Sequence, residues 1–147
     1  SHLPNVVKKN EEFINHEFLN NDGSSFGSDN ATIIQKFSAI TGIEERRYMS
    51  DNLVTSDIAT LAAQKAITDA DCDPETIDYI IVAHNYGDVP SKGGTSDMVP
   101  SLASGLKNKL GIKNQGVVAF ELLCGCPGWI LGVIKQYSCI KSGLQNK

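Results

Sequence analysis

Residues 116–129 read Gly116-Val117-Val118-Ala119-Phe120-Glu121-Leu122-Leu123-Cys124-Gly125-Cys126-Pro127-Gly128-Trp129. An apolar run stops at a tight turn, and Cys126 stands where a helix begins. Pro127 suits the first helical position, because its missing N–H has no intrahelical partner to lose there. The free N–H groups and the dipole of that helix favour an anionic sulfur, and the thiolate is the nucleophilic form of cysteine. The stretch therefore predicts strand, nucleophile turn, helix, with Cys126 as the candidate catalytic residue. The plainer alternative is a buried structural cysteine, a common use of a free thiol.

The pattern repeats upstream. Ile77-Asp78-Tyr79-Ile80-Ile81-Val82-Ala83 is short and β-branched, and reads as a buried strand. A helix over Ser56 to Ala70 precedes it, with Ile58, Leu61, Ala62, Ala66 and Ile67 on one side and Thr55 or Ser56 as its cap. Between the two strands lies a long loop from His84 to about Val99. Loops of that length are usually functional or mobile. A helix opened by Pro100 follows, with Leu102, Ala103, Leu106 and Leu110 on its apolar face and Gly111 at its end. The last helix runs from Gly128 to Ile140, with Trp129 packed in the core and Gly143 as its C-cap glycine. Helix, strand, helix, strand, helix predicts an α/β fold, a mixed and mostly parallel sheet flanked by helices. Near the start, Asn10 to Leu19 and Thr32 to Ala39 read as short helices, and the stretch after Thr41-Gly42 as a charged extended piece.

Composition narrows the function classes. The chain has 147 residues, enough for one domain with a core. A formal net charge of −4 gives no basic footprint for nucleic acid. The four cysteines Cys72, Cys124, Cys126 and Cys139 form no paired zinc spacing and no disulfide framework, so neither a metal nor an oxidising compartment is expected. No apolar run reaches the length of a membrane span, and the start has no signal-peptide pattern. A cytoplasmic protein is the expectation.

Several segments, taken together, resemble a known family. These are Thr41-Gly42-Ile43 with Glu45-Arg46-Arg47, Asp73-Pro74 with Ile77-Asp78 and Ile80-Ile81-Val82-Ala83, Leu110-Gly111-Ile112-Lys113-Asn114, Ala119-Phe120-Glu121-Leu122 with Cys126 and Gly128-Trp129, and Ile140-Lys141-Ser142-Gly143. In this order and spacing they resemble β-ketoacyl-acyl-carrier-protein synthase III, a thiolase-like condensing enzyme that starts fatty-acid chains. The resemblance implies the N-terminal half of a thiolase-like fold over 1–147, and a homodimer formed through the strand at about Val117 to Leu122. It implies a decarboxylative Claisen condensation of an acyl-coenzyme A with malonyl-acyl-carrier protein, through an acyl group carried on Cys126. No cofactor is implied, since the coenzyme A thioester enters as substrate.

Departures from the family pattern qualify that expectation. Members are about twice as long, and their catalytic His and Asn lie in the second half. His2, His16 and His84 match neither, so the chain reads as an N-terminal-half fragment without condensing activity of its own. The tryptophan and arginine that hold the adenine end of coenzyme A are matched here by Lys36 and Ile40, and an isoleucine cannot pair as an arginine does. Another acyl donor, in a secondary-metabolite or unusual-lipid pathway, would accommodate that change. A catalytically silent thiolase-like module is the alternative from a different class. A hydroxymethylglutaryl-type synthase is disfavoured, because His84-Asn85-Tyr86 offers no glutamate after the strand.

Two further residues are candidate substrate contacts. His84 ends a strand where α/β proteins place binding residues, although a loop hydrogen bond is its simpler use. Arg46 could face a phosphate or an acidic carrier, although a solvated surface role is equally simple. Glu121 could be a general base, but alternation along its strand favours an interior hydrogen-bonding role.

Overall fold

A computed structural model of the protein describes residues 1–90, 92–96 and 99–144. The chain divides into two compact units, Leu3–Ser50 and a larger one built from Asp51–Lys147 with Ser1–His2.

In the smaller unit, β1 (Val6–Lys9) pairs antiparallel with β2 (Glu45–Tyr48), and α1 (Asn30–Thr41) lies between them in sequence. The Asp29 carboxylate caps α1 by accepting from the Thr32 N–H at 3.0 Å and the Thr32 hydroxyl at 2.7 Å. The helix expected over Asn10 to Leu19 is only a 3-10 turn, Asn10–Phe13. The Asn30 amide takes the carbonyls of Ile14 and His16 at 2.7 and 2.9 Å, oxygens that a continuing helix needs for its own ladder. Leu19 instead bridges to Ser25. Strand β1 had no counterpart in the sequence reading.

The larger unit carries α2 (Thr55–Asp69), β3 (Tyr79–His84), α3 (Leu102–Lys109), β4 (Val118–Leu123) and α4 (Gly128–Lys141). Strands β3 and β4 pair in parallel, Tyr79 opposite Val118 through His84 opposite Leu123. Parallel neighbours need a crossover, and α3 lies on the connection. Ile80 and Val82 point to one face, where Leu102, Ala103, Leu106, Ile112 and Val117 close the buried core, with Ala59 and Ala63 of α2 against it. On the opposite face α4 approaches β3 and β4 through Gly128 and Gly132. The C-cap glycines expected at Gly111 and Gly143 are both present in the left-handed region, with φ of 74° and 71°.

Four local expectations change. The first strand begins at Tyr79 rather than Ile77, because Pro74–Thr76 forms a 3-10 turn that Ile77 closes. Pro100 does not open α3, since Ser101 is the N-cap and its hydroxyl accepts from the Ser104 N–H at 3.1 Å. Neither Thr55 nor Ser56 caps α2. Val54 holds that position, and its N–H donates to the Asp57 carboxylate at 3.0 Å. Trp129 is not core packing: it is 74% exposed, because the side of α4 that meets the strands is built from small residues. Val133, Tyr137 and Ile140 are exposed as well.

Lys109 ties the end of α3 to the start of α2, donating to the Asp57 carboxylate at 2.6 Å and to the Ser56 hydroxyl at 2.5 Å. The hydrogen bond from Lys109, with that from the Val54 N–H, lowers the Asp57 pKa below its ordinary 3.8. A depressed carboxylate pKa stabilises the fold above the unfolded value, and that stability is lost as pH falls through the folded one. Asp57→Ala should therefore lower the unfolding free energy by about 1 kcal/mol at neutral pH. In denaturant titrations the gap from the parent protein should narrow as pH drops below 3.8. A gap that stays constant into acid would refute the assignment.

Candidate active site

The parallel register brings the C-terminal ends of β3 and β4 together, so His84 and the turn after Leu123 lie side by side. The Cys124 N–H donates to the His84 carbonyl at 3.3 Å, extending the ladder by one residue into the turn. The Gly128 N–H then donates to the Gly125 carbonyl at 2.9 Å, and the Leu131 N–H to the Pro127 carbonyl at 3.0 Å. Pro127 is thus the N-cap of α4 rather than its first helical residue, and no side chain caps that helix. Cys126 sits one position earlier, in the turn, and is exposed. The leading N–H groups of a helix have no intrahelical acceptor, and Cys126 immediately precedes the N-cap of α4.

The four thiols are distinct in setting. Cys139 is buried in α4, Cys72 and Cys124 are half-buried, and all four are free. Gly128 lets the start of α4 close on the strands: a Cβ there would lie 3.4 Å from the Ala83 Cβ and 3.5 Å from the Cys124 Cβ. Beside the turn, Asn85, Leu123, Cys124 and Gly125 line an open cleft of about 320 Å³.

His84 and Glu121 share one face of the sheet. The His84 side chain is 7% exposed, its Nδ1 accepts the Gly87 N–H at 2.8 Å, and its Nε2 lies 3.4 Å from Glu121 Oε2. That last approach is not aligned as a hydrogen bond. The other Glu121 oxygen accepts the N–H groups of Leu102 and Ala103 at the start of α3, the interior role that strand alternation suggested. His84 and Glu121 also line a cavity of about 450 Å³ with Ser56, Asp88, Ser101 and Lys109. Cys126 is not among its lining residues.

The loop after His84 is tied down by Thr55 and Ser56, the expected cap residues, and by Asp88, which the sequence reading did not single out. The Thr55 hydroxyl donates to the Gly87 carbonyl at 2.7 Å. The Ser56 N–H and hydroxyl donate to the two Asp88 oxygens at 2.7 and 2.6 Å. Asp88 therefore supplies, from a distant loop, the anion that the start of α2 attracts. An acidic residue following a glycine in a long loop was the available signal, but its partner lies 32 residues away.

Arg46 belongs to the smaller unit, and Cys126 and His84 to the larger one. Its Nη1 donates to Asn10 Oδ1 at 2.5 Å, and its guanidinium lies over the Phe37 and Phe13 rings at 5.2 and 6.0 Å. Asn10 is itself buried and donates to the Ile43 carbonyl at 2.7 Å. Lys36 and Ile40 lie on α1, where they line an apolar hollow of about 240 Å³ with Phe26, Ile33, Phe37 and Thr41. Among the described residues no cluster of three or more His, Cys, Asp or Glu side chains is placed to hold a metal ion. No described helix is long and apolar enough to cross a membrane.

No protein-family profile matches the chain. It is 38% identical over 122 residues to the β-ketoacyl-[acyl-carrier-protein] synthase III of Staphylococcus haemolyticus, an alignment covering 83% of this chain and 36% of that protein. It is 40% identical over 104 residues to the enzyme of the same name from Fusobacterium nucleatum, covering 71% and 29% respectively. The crystal structure of β-ketoacyl-[acyl-carrier-protein] synthase III from Thermus thermophilus superposes with a TM-score of 0.69 at 27% identity, over 98% of this chain and 37% of that one. The chain is thus a homologue of β-ketoacyl-[acyl-carrier-protein] synthase III with a thiolase-like α/β fold, as its motifs suggested, and it spans about a third of the length of the curated relatives it matches.

The close approach at Gly128 is testable. Gly128→Leu should cost about 1–3 kcal/mol of unfolding free energy by overpacking, while Gly128→Ala should cost less than half as much. Equal tolerance of both in thermal or denaturant unfolding would show that α4 does not sit this close to the strands.

Proposed function

We propose that this chain carries the acyl-transfer part of a β-ketoacyl-acyl-carrier-protein synthase III, with Cys126 as the acyl acceptor. The observation that supports it best is an exposed cysteine one residue before the uncapped start of α4, at the C-terminal end of a parallel β-strand. Thioester exchange needs a sulfur nucleophile and a good sulfur leaving group. The Cys126 thiolate attacks the thioester carbonyl of an acyl-coenzyme A. A new C–S bond forms, the tetrahedral oxyanion collapses, and coenzyme A leaves as a thiolate that takes up a proton. The Cys126 N–H is the local donor for the oxyanion, a role that preorganised backbone donors fill in acyl transfer.

In the full reaction the acyl group then joins the carbanion formed by decarboxylation of malonyl-acyl-carrier protein. The His and Asn that the family uses for that step have no counterpart among the residues of this chain, so the acyl-transfer half-reaction is the one these residues support. The relatives' names point to the same chemistry. Lys36 and Ile40 favour a donor whose far end is not gripped by a stacked indole and a guanidinium. Among the described residues β4 pairs with β3 alone, so its other edge is open for the homodimer pairing we propose. No bound cofactor enters this reaction. A cytoplasmic setting fits its substrates and the four free thiols.

Competitive alkylation tests the reading. Iodoacetamide should label Cys126 well ahead of Cys72, Cys124 and Cys139, and prior incubation with an acyl-coenzyme A should protect Cys126 alone. Uniformly slow labelling, unaffected by acyl-coenzyme A, would instead support a catalytically silent thiolase-like module.

A further inference from the structure

His84 ends β3, and its polar groups reach three other parts of the fold. Its carbonyl accepts the Cys124 N–H at 3.3 Å, in the turn that leads to Cys126. Its Nδ1 accepts the Gly87 N–H at 2.8 Å, in the loop that walls the neighbouring cleft. Its Nε2 lies 3.4 Å from Glu121 Oε2, and Glu121 is fixed in turn by the first N–H groups of α3. An imidazole nitrogen that accepts an N–H carries no proton of its own, so the neutral ring holds its proton on Nε2, facing the carboxylate.

The loop beyond is held at its second anchor as firmly. Gly87 is buried with φ of 72°, and a Cβ there would meet the Ser96 hydroxyl, so a side chain at this position is strained. The Gly87 carbonyl and the Asp88 carboxylate are engaged by Thr55 and Ser56. Between these anchors only Asn85 and Tyr86 are exposed, and Asn85 forms one wall of the cleft shared with Leu123, Cys124 and Gly125. The side chain of His84 is 7% exposed and lines the cavity it shares with Glu121.

We infer that His84 is a positioning residue: its Nδ1 holds the Asn85–Gly87 loop while its carbonyl holds the turn before Cys126, so that the cleft wall and the reactive sulfur keep one relative geometry. A buried N–H left without its acceptor drives the backbone to rearrange, and the rearrangement would fall on the cleft beside Cys126. This inference rests on the reading of Cys126 as the acylated thiol.

Two substitutions separate the two ring nitrogens. The Asn carbonyl oxygen falls near the Nδ1 position and can accept the Gly87 N–H, whereas the Gln amide reaches toward the Nε2 position and leaves Gly87 unpaired. The readout is the rate of iodoacetamide alkylation at Cys126 divided by that at Cys72 in the same sample. His84→Gln should lower that ratio about fivefold to tenfold, and His84→Asn should stay within about twofold of the parent. Equal effects of the two variants, or none from either, would overturn the inference. A parent protein in which Cys126 is no faster than Cys72 would instead overturn the nucleophile reading, and this inference with it. A measurement on the unmodified chain guards against variants that fail to fold. Nitrogen-15 NMR should find the Nε2–H tautomer of His84 and slow exchange of the Gly87 amide, and an Nδ1–H tautomer or a freely exchanging amide would overturn the inference.

Discussion

The parallel pairing of β3 with β4 is the constraint on which the rest of the larger unit depends. It sets His84 opposite Leu123, and so brings two chain segments far apart in sequence to the same end of one sheet. Side chains alternate along each strand, and the register therefore decides every facing residue at once. Ile80 and Val82 turn inward to the core, and His84 follows them in the same row. Glu121, opposite Val82, meets the start of α3. A slip of one residue would turn all of these to the wrong face, which is why the apolar row and the polar pair are specified together.

Charge at helix starts recurs through this unit as the means of fixing its loops. Asp88 meets the start of α2, Glu121 meets the start of α3, and the start of α4 has no side-chain cap at all. The first two helix starts are each matched by a carboxylate from elsewhere in the chain. Cys126 stands just ahead of the third, whose N-cap is Pro127 with no side-chain hydrogen bond. The long loop, whose length reads as functional or mobile, is fastened at Gly87 and Asp88 by hydrogen bonds to α2.

The strands, the three helices of the larger unit and the position of Cys126 were legible because they rest on short-range signals: β-branched runs, helical spacing, C-cap glycines and a proline beside the turn that follows β4. The misses share a different origin. The Asn10 to Leu19 helix failed because the Asn30 side chain, far along the chain, takes the carbonyls it needs. Ser56 has the chemistry of a cap, yet its hydroxyl is committed to Asp88. Bulk alone predicts an inward Trp129, but Gly128 and Gly132 face the strands, and close approach there leaves the large side chains outside. Arg46 donates to Asn10 and lies over two aromatic rings, partners that the sequence did not single out. Each of these outcomes depends on a partner that no local pattern identifies.

The central claim is that one sulfur, at the start of α4, receives an acyl group. Incubating the chain with an acyl-coenzyme A, digesting it and fragmenting the peptides by tandem mass spectrometry asks this most directly. The account predicts a hydroxylamine-labile acyl mass on Cys126 and unmodified Cys72, Cys124 and Cys139. An acyl group on another cysteine with Cys126 bare, or a chain that stays unmodified throughout, would contradict it.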